Sequence, residues 1–408
     1  MTTLGTLLIG GAAALLLYPY VVYPAFLRIL GHLRARSAPA PVDGVEEWPT
    51  VSITVPVYNE EGQVHELIES LLALDYPEEK RQILIVSDAS SDGTDEIVEE
   101  YSDRGIELLR VEGRSGKTAV ENAARLHLTG EFVLNTDASI RILPGALKPL
   151  VAALQDPEVG VASGCDISIA KGGEGANLGE SGYVGYEMWV RELENRVDGI
   201  VGASGCLYAI RRDLHLVPVP EALSRDFISA LNARERGYRS VSVKDALCLV
   251  PRTPSLLREY RRKVRTLTRG MQTLLHKRVL LNPFRFGIFS WMLFSHKMAR
   301  WLLPWAVLLG GVGLLLLALD APWARWVAAA VGAGAVLAAV PWGIERWKGV
   351  PPALPRPFTL PAYVAAGVLA VFHAQLRVIG QRQDPVWEPT RREGGDPAPA
   401  TEGPATSR

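Results

Sequence analysis

From Val51 to Asn135 the chain alternates short β-branched apolar runs with longer stretches of helical spacing. Val51–Val57 (VSITVPV) is apolar at nearly every position and predicts a strand covered on both faces. Gly62–Ala73 predicts a helix, Gln82–Val86 a second strand, and Thr94 begins a helix after a Ser/Asp/Gly turn. Ile106–Val111 predicts a third strand, Ser115–His127 a third helix, and Glu131–Asn135 a fourth strand ending at Thr136–Asp137. Alternating strands and helices predict an α/β fold with a mostly parallel, doubly wound sheet and helices on both faces. In such sheets ligands bind outside the carboxyl ends of the strands. Three polar clusters fall at those ends: Asn59–Glu60, Asp88 and Asp137.

The pattern is less regular over about Pro157–Val250. It holds a Gly-rich loop (Lys171–Gly182), a predicted helix (Tyr183–Val197), a Gly-rich strand approach (Gly199–Ile210) and a helix at Ser224–Arg236 capped by Gly237. From Arg252 to Arg285 the chain carries ten Lys/Arg and one acid, Glu259. Four windows lack charged side chains: Met1–Leu27, Trp301–Leu319, Trp326–Ile344 and Phe358–Leu376. Each is close to the roughly 20 apolar residues that a helix needs to cross a bilayer. Phe284–Arg300 mixes aromatics with Arg285, His296, Lys297 and Arg300, and reads as an interfacial amphipathic helix in preference to a span. The expected division is a transmembrane helix at 1–30, a linker at 31–50, a large domain at 51–250, basic interfacial helices at 251–300, transmembrane helices at 301–380 and a disordered Pro/Gly/Ala-rich tail at 381–408.

Composition sharpens this division. The 408 residues hold 43 Lys+Arg against 44 Asp+Glu, a formal net charge of −1, which gives no support for a nucleic-acid binder. Hydrophobic residues make up 48% and charged residues only 21%, which excludes a plain soluble enzyme. Cys165, Cys206 and Cys248 are odd in number and widely spaced, so neither a disulfide framework nor a zinc site is expected. Arg28, His32, Arg34 and Arg36 follow the first apolar window and place that end, and the large domain with it, in the cytoplasm. Four spans would put the C-terminus outside, whereas Arg377, Arg382, Arg391 and Arg392 favour the inside. Counting Phe284–Arg300 as a span, or making a later window re-entrant, would resolve that conflict. The basic stretch before the spans reads either as a flank touching anionic lipid or as a gating helix beneath the site.

The chemistry-bearing motifs come in order along the chain. Pro56-Val-Tyr-Asn-Glu60 ends the first strand, and Ser87-Asp-Ala-Ser-Ser-Asp-Gly-Thr94 follows the second. Gly113-Arg-Ser-Gly-Lys-Thr118 is superficially like an ATPase phosphate loop. That loop needs Gly where Val111 stands, so an ATPase is rejected, although a Lys at a helix start can still meet a phosphate. Asn135-Thr-Asp-Ala-Ser139 places a carboxylate at a strand end, where a divalent cation bridging phosphates can bind. Ser224-Arg-Asp-Phe227 opens a helix. Each segment alone is also consistent with an ordinary turn or helix cap.

Taken together, these segments resemble the family 2 glycosyltransferases, in the membrane-attached branch that includes cellulose, hyaluronan and poly-N-acetylglucosamine synthases. The resemblance covers about Val51–Thr268. It implies a Rossmann-like GT-A nucleotide-sugar domain flanked by transmembrane helices, in the cell membrane with the domain on the cytoplasmic side. It also implies inverting transfer from a nucleotide-diphosphate sugar, expected to be a UDP-sugar, to a lipid-linked or polysaccharide acceptor in envelope or extracellular polysaccharide synthesis. Pro56, Tyr58, Glu60, Asp88, Lys117 and Asp137 match the donor-binding positions, and Asp137 matches the position that holds Mg²⁺ or Mn²⁺. Asp226 matches the acceptor base, while Gly205, Arg262 and Arg265 match the acceptor and diphosphate side.

Two departures stand out. The second Asp of the family's D-x-D is Ser139 here, which leaves Asp137 as the motif's one carboxylate. The QxxRW motif of polymer-extending members is reduced to Arg262-Lys-Val-Arg-Thr266, which argues against a cellulose synthase. These departures keep open a non-catalytic nucleotide-sugar-binding or assembly subunit of the same fold.

Overall fold

The structure is a computed structural model and describes residues 1–34, 45, 47–170, 178–252, 255–349 and 356–381. Most of the expected linker, part of the Gly-rich loop and the expected tail lie outside these residues.

An eight-stranded mixed sheet forms the centre, in the order β3-β2-β1-β4-β7-β6-β8-β5. Its strands are β1 (Val51–Val57), β2 (Arg81–Ser87), β3 (Ile106–Arg110), β4 (Phe132–Thr136), β5 (Arg141–Ile142), β6 (Val159–Ala170), β7 (Leu207–Arg211) and β8 (Arg239–Arg252). β1 lies between β2 and β4, parallel to both, with Val51 opposite Arg81 on one side and Phe132 on the other. Every residue of β1 is buried, as its apolar sequence requires of a strand paired on both edges. The chain turns back at β7, which is antiparallel to both β4 and β6.

Period-two alternation divides the apolar side chains between two layers. Ile83, Ile85, Phe132 and Leu134 enter one core with helix Glu61–Leu72 and helix Leu147–Gln155. Leu84, Val86 and Val133 enter the other with Val120 and Ala124 of helix Lys117–Ala124.

β6 and β8 are the long elements that the sequence pattern left irregular. They pair in parallel through two register shifts, one at Val159/Val161 and one at Ser163/Cys165. The Gly, Ser, Cys and Asp positions of β6 break the run of β-branched residues that marks a strand.

A third core seats the domain on the helices beside it. It joins Tyr23 and Leu27 from the N-terminal helix, Val190 and Val197 from helix Leu178–Val197, Phe227, Leu274 and Met292. Among the described residues, four helices are long and apolar enough to cross a membrane: Thr2–Arg34, Leu303–Asp320, Pro322–Lys348 and Leu360–Ile379. The first packs against Leu303–Asp320 at a Gly–Gly contact, where a Cβ on Gly5 would lie 2.9 Å from the Gly313 carbonyl oxygen. Large apolar side chains such as Leu7, Leu315 and Trp326 point outward from these helices. Residues 283–301 do not form one amphipathic helix. A short turn, Pro283–Phe286, ends at Gly287, and a continuous helical run then goes from Ile288 to Trp301 with a π-turn at Phe294–Met298. Phe289, Met292, Leu293 and His296 on this run are buried within the protein.

Candidate active site

The sheet reverses its winding between β1 and β4, and the candidate residues gather at the carboxyl ends of the strands around that point. Asp88 follows β2 and is buried. Its carboxylate accepts the backbone N–H of Ser115 at 2.7 Å and of Gly116 at 2.8 Å. Both oxygens are therefore committed to holding the loop before helix Lys117–Ala124. Gly116 has φ +90°, a left-handed conformation that favours glycine, and this geometry aims its N–H at Asp88. The next residue, Lys117, thereby starts the helix facing the strand ends.

The Lys117 ammonium bonds Asp137, just beyond β4, and lies 4.0 Å from Glu121 one helical turn on. Burial alone would lower the Lys117 pKa, but Asp137, Glu121 and Asp226 outweigh it and keep the ammonium charged. Glu121 is itself buried, which pushes its pKa up against the opposing pull of Lys117 and Arg225. Arg225 Nε lies 3.9 Å from Glu121, and the Arg225 guanidinium donates to Asn122 Oδ1 at 2.8 Å. His215 closes this chain at 3.0 Å from Asn135 Oδ1. Burial, helped by Arg225 and Arg125, lowers its pKa and keeps it neutral.

Asp226 is in the first turn of helix Arg225–Glu235 and accepts the Ser224 hydroxyl at 2.6 Å. A Cβ on Gly205 would lie 3.3 Å from Asp226 Oδ2, so the loop before β7 runs directly past the carboxylate. The structure thus brings Lys117, Asp137, Asp226 and Gly205 into one neighbourhood. Tyr58, after β1, stacks under the Arg114 guanidinium at 3.9 Å. Pro56 is buried inside β1 opposite Val86. Glu60 is buried, bonds Gln63, and its backbone N–H donates to Thr94 Oγ1 at 2.8 Å, so it braces the turn after β1.

Arg262 and Arg265 lie on helix Leu256–His276. Arg262 pairs with Glu259 at 2.8 Å on the same helix. The helix meets the Asp226 turn through Thr273, whose Oγ1 accepts the Ser224 N–H at 3.0 Å. Arg262 stands about 16 Å up the helix from that point.

Sequence reasoning missed Glu121, Arg225 and Glu345. Glu121 was legible as the acid four residues after Lys117. Arg225 lies inside the quoted Ser224–Phe227 motif. Glu345, buried near the end of helix Pro322–Lys348, accepts the Ser255 hydroxyl and the Leu256 N–H, and so caps helix Leu256–His276 from a different segment. No local signal marks that pairing.

Among the described residues no group of three or more His, Cys, Asp or Glu side chains could hold a metal ion. The donors at the strand ends are Asp137 and its near neighbour Ser139. Asp137 is bonded to the Lys117 ammonium here, so a divalent cation at this carboxylate would draw most of its ligands from phosphate oxygens and water.

The Glycosyl transferase family 2 model matches residues 52–215. Poly(ribitol-phosphate) beta-N-acetylglucosaminyltransferase TarS of Staphylococcus aureus is 34% identical over 107 residues, which cover 26% of this chain and 19% of that protein. Dolichyl-phosphate beta-glucosyltransferase ALG5D of Trichomonas vaginalis is 37% identical over 98 residues, 22% of this chain and 29% of that protein. The matched segments thus span less than a third of these relatives' lengths. Among solved structures, a mannosyltransferase from Pyrobaculum calidifontis in complex with GDP-Man and Mn²⁺ superposes with a TM-score of 0.68 at 22% identity, over 93% of this chain and all of that one. That likeness shows a shared fold. Residues 52–215 thus match a glycosyl transferase family 2 domain, and the chain shares the GT-A fold of that mannosyltransferase.

Proposed function

We propose that the protein is a membrane-attached, inverting glycosyltransferase. It would move a sugar from a nucleotide-diphosphate donor, a UDP-sugar in the first instance, to a lipid-linked or polysaccharide acceptor in envelope polysaccharide synthesis. The observation that carries this reading is the convergence of Lys117, Asp137 and Asp226 at the β1/β4 reversal. Relatives named for transfer to poly(ribitol-phosphate) and to dolichyl phosphate support acceptors of polymer and lipid type. The apolar outer faces of the four long helices support an integral membrane protein with its sheet domain on the cytoplasmic side.

The donor's diphosphate lies toward Lys117, whose charge is held on by three carboxylates and offsets the negative charge of the leaving group. Asp137 would hold a divalent cation, Mg²⁺ or Mn²⁺, whose chemistry is to neutralise diphosphate charge. Asp226 takes the proton from the acceptor hydroxyl as that oxygen attacks the anomeric carbon. The new C–O bond forms as the bond to the diphosphate oxygen breaks, and the nucleoside diphosphate departs. A single displacement from one face inverts the anomeric centre.

The test is a screen of nucleotide-sugar hydrolysis and transfer by the purified full chain, with and without Mn²⁺. Turnover of at least one donor that is lost in Asp226→Asn supports the reading. Donor binding without turnover in the wild type would instead indicate a non-catalytic nucleotide-sugar-binding subunit.

A further inference from the structure

A second charged cluster lies on the other side of the Gly202–Gly205 loop, between the sheet domain and the segment 288–301. His296 bridges two carboxylates, bonding Glu187 at 2.7 Å and Glu194 on its other ring nitrogen. Glu187 also takes Arg300 at 2.6 Å and approaches Arg191 at 3.7 Å. Glu194 also accepts the Tyr23 hydroxyl. Both carboxylates are therefore fully engaged. Three cations (Arg191, Lys297 and Arg300) face those two acids; burial lowers the Lys297 pKa, and Arg191 and Arg300 add to this against the pull of Glu187 and Glu194.

Lys297 is the member with no acid of its own. Among the described residues no carboxylate lies within 4.0 Å of its ammonium, which instead sits 5.4 Å from the centre of the Phe227 ring. The Arg300 Nε and Nη2 and the Arg191 Nε are buried without a hydrogen-bond partner. Both arginines are less than a tenth exposed, whereas Lys297 is only partly buried. The π-turn at Phe294–Met298 contains Lys297, and such turns are frequent at functional sites. Gly202 lies against both side chains: a Cβ there would crowd the Phe227 ring at 3.1 Å and come into ordinary contact with Lys297 Cε at 3.7 Å. Asp226 and Lys297 therefore flank the same loop. A buried surplus of positive charge is costly unless an anion completes it.

We propose that Lys297, backed by Arg191 and Arg300, binds the phosphate of a membrane-anchored phosphate-ester acceptor and holds its sugar-accepting end toward Asp226. This rests on the glycosyltransferase reading above and narrows its acceptor to the lipid-phosphate class. The membrane side of the cluster agrees with that source. Tyr18 and Tyr23 of the first long apolar helix contact this segment, with Tyr18 Oη 2.7 Å from Ser295 Oγ and 3.0 Å from Trp291 Nε1.

The experiment is a binding titration of the full chain in detergent or nanodiscs, with farnesyl phosphate, farnesol and inorganic phosphate as probes. It needs no donor and no turnover, so its result is independent of the transfer assay. Farnesyl phosphate should bind markedly tighter than farnesol or phosphate alone. Lys297→Met should weaken it about tenfold, the loss of one charge-assisted contact, and Lys297→Arg should restore most of it. Equal binding of farnesyl phosphate and farnesol to the wild type would overturn the proposal, and this arm needs no variant to fold. Unchanged affinity in a folded Lys297→Met would overturn it too. Full displacement of farnesyl phosphate by phosphatidylglycerol vesicles would also do so, by showing a general headgroup site.

Discussion

The two charged clusters on either side of the Gly202–Gly205 loop are built differently. At the strand ends, the Asp137 and Lys117 side chains keep 32% and 20% of their exposure, and the cluster opens toward the place where ligands enter such sheets. In the second cluster, the side chains of Glu194, His296, Glu187 and Arg300 are each 12% exposed or less, and their partners come from segments about a hundred residues apart. Solvent access allows the first cluster to exchange partners with a ligand. Burial makes the second cluster depend on internal pairing. Mutations in the first should therefore act on chemistry, and mutations of the second cluster's internally paired carboxylates on stability.

The largest expected effect is at the strand ends. Asp226→Asn should lower kcat by about 10²–10⁴-fold, the usual worth of a general base. Donor affinity, read by titration with the nucleotide sugar, should change little, and so should the melting temperature. Wild-type turnover in this variant would remove Asp226 from the mechanism.

Next comes the opposite behaviour in the second cluster. Glu187→Gln leaves Arg300 and His296 facing a neutral amide, and breaking such a buried pair costs about 3–5 kcal/mol. Thermal unfolding in detergent should show a marked loss. A melting curve like that of the wild type would erase the contrast between the clusters. The same residue gives a pH signature. Burial would raise the Glu187 pKa, but His296 and Arg300 overcome this and hold it well below 4.5. Its stabilising contribution is then complete above pH 4.5 and declines as pH falls below that value. Acid should destabilise the wild type more steeply than Glu187→Gln. Parallel pH profiles would contradict the assignment.

A smaller effect is expected at Asp137. Asp137→Ala should weaken Mn²⁺-dependent donor binding about tenfold by calorimetry, because one carboxylate supplies only part of the ligand set. Identical binding with and without Mn²⁺ in the wild type would show that no cation acts there. The smallest effect is at Glu345. Glu345→Ala should cost about 1 kcal/mol, typical of a lost helix cap, with little change in turnover. A large activity loss would mean that the helix Leu256–His276 governs the site and does more than support it.

The parallel half of the sheet was legible because β1 to β4 are short and rich in β-branched residues, with polar clusters at their carboxyl ends. That pattern alone places Asp88 and Asp137 at strand ends. It does not say what each carboxylate touches. Asp88 spends both oxygens on the Ser115 and Gly116 amides, so its first effect is to shape the loop that presents Lys117. β6 and β8 were illegible because their register shifts break the period of two. The segment 283–301 read as amphipathic because its charges were taken to face water, whereas His296 and Arg300 are turned inward.

The sequence by itself determined the division of the chain into a sheet domain and long apolar helices, and the order of its polar motifs. Periodicity, hydropathy and turn residues act over a few neighbouring positions, and these features need nothing more. Only the tertiary structure decided which charges are partners. Glu121 meets Arg225, Glu345 caps Ser255–Leu256, and Lys297 comes to lie across a glycine loop from Asp226. Pairings of that kind depend on where distant segments come to rest, and burial then sets whether each charge is balanced internally or left for a ligand to complete.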